Sequence, residues 1–381
     1  MRILSVRAEP PDVRPGGLSS LSTLLVDPTN PTRRNSILYL ACDPDPRNLD
    51  QNPCTQYENL ESAADLFNSS TDGGINSTSA DGGLNLAIAG ARFIGFNDNA
   101  YYDAPADLFS ALAPDDIDRT RGVLAVLLII AVGEEIPFPP TNDQLQAVLQ
   151  RIQSKQTPAV VAIKRLRITE KDVLNQNPVL NLVATDSDVL TPDHGLRVKV
   201  AQHSQLTAVA SIGADENYVA IGPDGATEAR TELADFSWFS TAGNFIEVRT
   251  TAGDTGQFFI APLDTSDDPV PANRTFSLWV VVRDGRGGED WASLSGFVCD
   301  PSLPSVQFGS ASVEANNRVH ISGTHLDQIL DVSLGGLPLR GGYDPTTDQF
   351  LSTLLPGGSG GLPLLLRGKN CNDATGTLQV P

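Results

Sequence analysis

The sequence has no apolar run long enough to cross a bilayer. Its longest, Val123 to Val132, is ten residues, against the roughly 20 that a spanning helix needs. It is also short of basic charge. The 26 Lys and Arg stand against 46 Asp and Glu, giving a net charge of −20 and a pI near 4.4. That field repels phosphate backbones and excludes nucleic acid as a partner. No CxxC or HxxxH accompanies the four cysteines, and the four histidines are scattered, which argues against a zinc site. Gly357-Gly-Ser-Gly-Gly is not a phosphate loop, because Gly368-Lys369 is followed by Asn370 and Gly361 lies two residues too far away. Ser204 beside His203 and Asp193 beside His194 are the pairs nearest to acid/base chemistry, but neighbours on a strand point to opposite faces. His320 and His325, around a Ser-Gly-Thr turn, read as solvated or structural. The residues suggest neither an enzyme nor a cofactor.

What is abundant is turn chemistry: 33 Gly and 27 Pro among 381 residues, separating short β-rich runs in the manner of sandwich modules. The length suits two or three domains, and three are expected. Residues 1–170 open with strands at Ile3 to Ala8, Leu21 to Val26 and Ile37 to Cys42. The pattern then lapses over 43–121, read as a long, partly helical insertion with the near-repeats Asn68-Ser-Ser-Thr-Asp-Gly-Gly and Asn76-Ser-Thr-Ser-Ala-Asp-Gly-Gly. Val123 to Val132 has the β-branched content of a strand buried on both faces. A helix over 142–155 follows, with Thr141 and Gln144 at capping-box spacing and Leu145, Val148, Leu149 and Ile152 on one stripe. Glu170 to Pro178 reads as a linker. The second module, 179–300, holds Trp238, Trp279 and Trp291 and a hairpin turning at Asp284-Gly-Arg-Gly-Gly. The third spans 304–381. The middle module is the acidic one, with 18 acids and 7 bases over 179–301; solubility alone accounts for this.

Four cysteines permit three pairings, and sequence alone does not choose among them. Their positions favour Cys42 with Cys54, clamping the start of the insertion, and Cys299 with Cys371, at the ends of the later modules. Calcium is the one cofactor with candidate ligands, Asp186, Asp188 and Asp215, although no EF-hand pattern surrounds them. Within the insertion, Phe96, Tyr101, Tyr102 and Phe109 are candidates for a partner-binding patch, unless they serve only to hold the insertion down.

Asp235-Phe-Ser-Trp-Phe-Ser-Thr-Ala-Gly-Asn-Phe, Phe258-Phe-Ile-Ala-Pro and Leu278-Trp-Val-Val-Val-Arg-Asp-Gly-Arg-Gly-Gly together resemble the PKD-type and related Ig-like repeats of bacterial surface proteins. Ile321-Ser-Gly-Thr-His-Leu, Asp331-Val-Ser-Leu-Gly-Gly and Phe350-Leu-Ser-Thr-Leu-Leu-Pro resemble an IPT/TIG domain. With the opening Arg2-Ile-Leu-Ser-Val-Arg-Ala-Glu-Pro-Pro-Asp-Val-Arg-Pro-Gly, Cys42-Asp-Pro and Asn175-Gln-Asn-Pro, the chain resembles multidomain outer-membrane lipoproteins of the myxobacterial type. The resemblance implies a mainly β chain of tandem Ig-like β-sandwiches, extracytoplasmic and either anchored to the outer membrane or secreted, with its signal and lipidation site outside this sequence. The implied role is non-enzymatic: a structural or protein-interaction protein whose partners are other cell-surface proteins or further copies of itself. A carbohydrate-binding surface protein is the alternative, and Trp291, Tyr101 and Tyr102 exposed in one groove would favour it. An accessory subunit of a secreted enzyme or surface apparatus is a further one.

Overall fold

The structure, a computed structural model, describes residues 1–44, 91–185, 189–211, 216–222, 226–251, 257–314, 317–352 and 359–380. It is mainly β, with strands from end to end and two short α-helices among the described residues.

The first eight strands are β1 (Arg2–Glu9), β2 (Asp12–Val13), β3 (Leu18–Val26), β4 (Ser36–Cys42), β5 (Arg92–Phe96), β6 (Asn99–Asp103), β7 (Val123–Val132) and β8 (Ala159–Ile168). They pair in one continuous order, β1-β3-β6-β5-β4-β7-β8-β2. The central strand β7 is covered on both sides. Its Val126, Leu128, Ile130 and Val132 meet Leu145, Val148, Leu149 and Ile152 of helix α2 (Asn142–Gln153), following helix α1 (Ile117–Arg121). On the other face, Ala125, Leu127 and Ile129 pack with Val6, Ala8, Leu21, Tyr102, Leu108 and Phe109. Helix α2 begins at the expected capping box, Thr141 Oγ1 accepting the Gln144 N–H and Gln144 Oε1 accepting the Thr141 N–H. This module is therefore a three-layered body, the amphipathic helix supplying the layer that a two-sheet sandwich lacks.

The stretch read as one insertion is divided by the structure. Residues 91–121 belong to the module: β5 and β6 lie inside the sheet, β5 beside β4 with Ala41 opposite Arg92, and Leu108 and Phe109 are core. The near-repeats at 68 and 76 lie outside the described residues.

Residues 179–300 form β9 (Val179–Ala184), β10 (Val189–Leu190), β11 (Leu196–Val198), β12 (His203–Ser211), β13 (Asn217–Ile221), β14 (Thr227–Thr231), β15 (Asp235–Ser240), β16 (Asn244–Phe245), β17 (Arg249–Thr251), β18 (Gln257–Ile260), β19 (Thr275–Arg283) and β20 (Glu289–Val298). Two five-stranded sheets result, β10-β9-β12-β18-β16 and β11-β20-β19-β15-β17, with β13 and β14 a separate pair. Trp238 is buried, its Nε1–H donating to Thr250 Oγ1 at 3.0 Å. A file of rings, Trp238, Phe245, Phe259 and Phe276, continues from it at centroid spacings of 5.3–5.6 Å, within the range for favourable aromatic contact.

The last eight strands are β21 (Gln307–Val313), β22 (Val319–Thr324), β23 (Ile329–Leu334), β24 (Leu337–Pro338), β25 (Gly341–Asp344), β26 (Gln349–Ser352), β27 (Gly360–Gly368) and β28 (Asp373–Val380). They make a sandwich of two four-stranded sheets, β21-β22-β26-β25 and β24-β23-β27-β28, around Val319, Ile321, Val332, Phe350, Leu364, Leu366 and Leu378.

By compactness the chain divides into two units: Met1–Leu180 with Ala210–Phe236 and Val281–Trp291, and Asn181–Val209 with Ser237–Val280 and Ala292–Pro381. The β13–β14 hairpin and the tip of the β19–β20 hairpin thus belong to the first unit. The second contains the disulfide Cys299–Cys371, whose Cα atoms are 5.5 Å apart across 72 residues of sequence. Beside it Arg197 grips Asp373, with Nη2 2.8 Å from Oδ2, and the Asp300 N–H donates to the Lys369 carbonyl at 2.9 Å. Cys42 is also disulfide-bonded; Cys54 lies outside the described residues.

Candidate functional site

The richest polar constellation grows from the hairpin tip Asp284-Gly-Arg-Gly-Gly in the first unit. Gly285 and Gly287 take φ of +77° and +110°, which a side chain would resist. At Gly288 a Cβ would come within 2.2 Å of the Asp284 carboxylate. The turn is therefore free to wrap around Asp284, whose Oδ1 accepts the N–H groups of Arg286 and Gly288 at 2.6 and 2.9 Å. Its Oδ2 accepts Asn175 Nδ2 at 2.8 Å, and the Asn175 N–H donates to Asp12 Oδ2 at 3.1 Å. The segment read as a polar linker is thus buried at Asn175 and Asn177, its side-chain N–H groups donating to carboxylates and to the Ala8 carbonyl.

The turn sends the Arg286 side chain toward the β13–β14 hairpin. Its Nη1 is 2.5 Å from Glu232 Oε1 and 3.7 Å from Glu216, and its Nη2 is 3.9 Å from Asp12. The guanidinium lies over the Tyr218 ring at 4.4 Å, a cation–π distance. Glu232 is fully buried. Burial, helped by repulsion from Asp284 and Glu216 and opposed by Arg286, pushes its carboxyl up to about 7. Burial also raises Asp12. Three buried acceptors here, Asp12 Oδ1, Asn175 Oδ1 and Glu232 Oε2, have no hydrogen-bond partner among the described residues.

Alongside runs an open cleft of about 610 Å³, lined by Lys171, Val173, Glu216, Tyr218, Val219 and Arg230, with Arg286 at its base. Val173 is 74% exposed and Val219 49%, an apolar pair at the rim. Lys171 Nζ donates to the Val219 carbonyl at 3.1 Å. Its pKa is held down by burial and by the nearby Arg286 and Arg167.

A second cleft, of about 660 Å³, lies in the second unit and includes Val189, Thr191, His194, Leu337, Pro338 and Leu365 in its lining. His194 Nδ1 is 3.2 Å from Asp331, and the buried Arg367 donates to Asp331 at 3.2 Å and to the Gly195 carbonyl at 3.1 Å. Asp193 instead faces Arg340 at 2.6 Å, so these sequence neighbours do diverge. His320 meets Glu314 at 2.8 Å and Gln349 at 2.9 Å. No group of three His, Cys, Asp or Glu among the described residues is placed to hold a metal. The calcium candidates Asp186, Asp188 and Asp215 lie outside the described residues.

The aromatic patch needs correction. Phe96, Tyr102 and Phe109 are 1%, 0% and 2% exposed, since the strands and turns carrying them close the first core; only Tyr101 is turned outward, at 48%. Tyr102 spends its hydroxyl on Asp43 Oδ1 at 2.8 Å. With Tyr102 buried, Trp291, Tyr101 and Tyr102 do not share an exposed groove, so that particular support for the carbohydrate alternative is absent. Reading the sequence alone missed Lys171, Tyr218, Glu232 and Arg286. The usable signal was Gly222-Pro-Asp-Gly between Asn217 to Ile221 and Thr227 to Thr231, a hairpin pattern.

No protein-family model and no curated protein matches the chain, so the PKD-type and IPT/TIG readings rest on the motifs alone. Among solved structures, a Bacteroides ovatus mixed-linkage glucan utilization locus protein, SGBP-B, bound to a mixed-linkage heptasaccharide, is 10% identical with a TM-score of 0.18, covering 100% of this chain and 70% of that one. Mouse cadherin-23 EC22–24 is 14% identical at 0.20, covering 74% and 80%. A 1.5-MDa bacterial ice-binding adhesin structure is 10% identical at 0.18, covering 100% of both. At these scores the likeness carries no argument about this chain. No helix among the described residues is long and apolar enough to cross a membrane.

Proposed function

We propose that this chain is a non-enzymatic, extracytoplasmic interaction protein, a lipoprotein ectodomain of the outer surface that binds other proteins through sheet edges and loops. The observation that carries the reading is the cleft beside the β13–β14 hairpin: open, flanked by exposed valines and ion-paired arginines, and bordered by a strand pair that joins no larger sheet among the described residues. Such an edge is suited to recognition rather than to holding a small substrate. The Cys299–Cys371 disulfide supports an oxidising compartment. His194 lies against Asp331, His320 against Glu314, and Arg367 pairs with Asp331, contacts that suit a structural role.

The test is surface biotinylation of cells expressing the chain, followed by crosslinking and pull-down. Labelling of the intact cell and a reproducible set of crosslinked surface proteins are expected. A protein protected from the label, or one that turns over a substrate in an activity screen, would overturn the reading.

A further inference from the structure

The register of the β13–β14 pair shows which of its backbone groups point out of the ladder. The Glu232 N–H donates to the Glu216 carbonyl at 3.0 Å at one end, and the Gly222 N–H to the Ala226 carbonyl at 2.8 Å at the other. In an antiparallel ladder the mutually bonded pairs recur every second residue, so residues 218 and 220 bond inward to 230 and 228. The N–H and C=O groups of Asn217, Val219 and Ile221 then point out of the hairpin on the β13 side. The Lys171 ammonium on the Val219 carbonyl, at 3.1 Å, marks that outward direction. No strand among the described residues pairs with this edge.

Charge gives the edge a preference. Lys171 forms no salt bridge among the described residues; Arg286 and Arg167 act against its charge and Asp12 favours it. The two arginines of the lining are already engaged, Arg230 by Glu228 at 2.6 Å and Arg286 by Glu232 at 2.5 Å and Glu216 at 3.7 Å, which leaves Lys171 as the cation open to a partner's carboxylate. On a chain of net charge −20 the cleft thus presents one ammonium, that of Lys171, outside any ion pair among the described residues, and beside it Val173 and Val219 stand exposed.

We propose that the free edge of β13 is a strand-addition site for an extended acidic polypeptide segment of a partner protein. The partner backbone pairs with the outward groups of Asn217, Val219 and Ile221. Its apolar side chains cover Val173 and Val219, and a carboxylate displaces the Lys171 ammonium from the Val219 carbonyl and takes it as an ion pair. Main-chain bonds supply affinity in this mode and the flanking side chains supply choice of partner. The inference rests on the interaction reading above and goes further by giving the partner's chemistry and its seat.

The test uses the full chain and two fluorescein-labelled peptides, Val-Glu-Val-Thr-Val-Asp-Val-Thr and its counterpart with Lys at both acidic positions, read by anisotropy and by hydrogen exchange over residues 217–221. The acidic peptide should bind, slow exchange there, and lose roughly tenfold in affinity in Lys171→Glu. Val173→Asp, at an exposed position outside any ion pair, should also weaken it, and both variants should melt as the parent does. Equal binding of the two peptides, no binding of either, or binding without slowed exchange would overturn the site. So would displacement by a hexagalacturonate that itself leaves exchange unchanged, which would mark a glycan groove. If the variants fail to discriminate while the surface pull-down keeps its partners, the interaction reading stands and the site lies elsewhere.

Discussion

Asp43 and Arg92, forty-nine positions apart, meet at 2.7 Å between Oδ2 and Nε. The pair closes the mouth of the 45–90 segment, since Asp43 follows β4 and Arg92 opens the strand beside it. Arg92 Nη2 also donates to the Asp103 carbonyl at 2.6 Å, and Tyr102 to Asp43. The chain therefore leaves and re-enters the sheet at one braced point.

Two deletions separate the 45–90 segment from the module that carries it. Replacing residues 45–90 by a short Gly/Ser linker, with Cys42→Ser to remove the stranded thiol, should leave the first core folded, because loop closure depends only weakly on length. Removing 68–112 instead takes out β5 and β6 and the buried Phe96, Tyr102, Leu108 and Phe109, where loss of even one aromatic costs about 3–5 kcal/mol. Urea melts followed by dichroism should show a cooperative transition for the first deletion and none from the first module for the second. A first deletion that fails to fold would show that the braced mouth is not sufficient.

Much of the fold was legible because its signals are local. The capping box at Thr141, the doubly buried run Val123 to Val132 and the glycine-rich turn after Asp284 each depend on residues within a turn or two of one another. The site was not legible, because its contacts are remote: Arg286 reaches Glu232 across 54 positions and Asn175 reaches Asp284 across 109. Polar residues such as Asn175 read as linker in sequence because nothing local reports their burial. The aromatic patch failed for the converse reason: Phe96 and Tyr102 sit among turn residues in sequence, yet lie on strands in the sheet.

Removing the Cys299–Cys371 bridge should destabilise the second unit. In the chain-entropy view a loop of this length is worth about 4 kcal/mol, less any compensation in the unfolded state. The double Ser variant should unfold at lower urea, and reductant should bring the parent to the same midpoint. Matching midpoints for parent and variant under oxidising conditions would show that the Arg197–Asp373 contact and the neighbouring backbone bonds hold this region without the disulfide.

Lys164 and Glu289 form a mostly buried pair at 2.8 Å, with Lys164 Nζ also donating to the Gly287 carbonyl at 2.6 Å. Ser5 and Arg283 converge on the other carboxylate oxygen. Lys164→Ala leaves that carboxylate without its principal cation and should cost about 3–5 kcal/mol. Lys164→Met with Glu289→Leu should recover a substantial part of that loss, since replacing both partners removes the desolvation penalty along with the attraction. A double variant no more stable than the single one would show that the contacts of Ser5 and Arg283, and not the charge pair, dominate.

Glu232 gives the fold a pH signature whose sign follows from its raised pKa. The folded state holds this proton up to about pH 7, whereas an unperturbed glutamate releases it near 4.5. Protonation therefore favours the folded state between those limits: the contribution is fully present below about pH 4.5 and is lost as pH rises through 7. Its upper bound is about 3 kcal/mol, from the linkage constant of 1.36 kcal/mol per pH unit. Asp12, also raised by burial, acts in the same direction, so substituting Glu232 alone should flatten the profile without abolishing it. Glu232→Gln keeps an acceptor for Arg286 but cannot ionise. Its stability relative to the parent should therefore rise from pH 5 to pH 8, measured as the difference in urea midpoints at constant ionic strength. A constant difference across that range would mean that Arg286 keeps Glu232 ionised throughout, and that the charge at the base of the cleft does not change with pH.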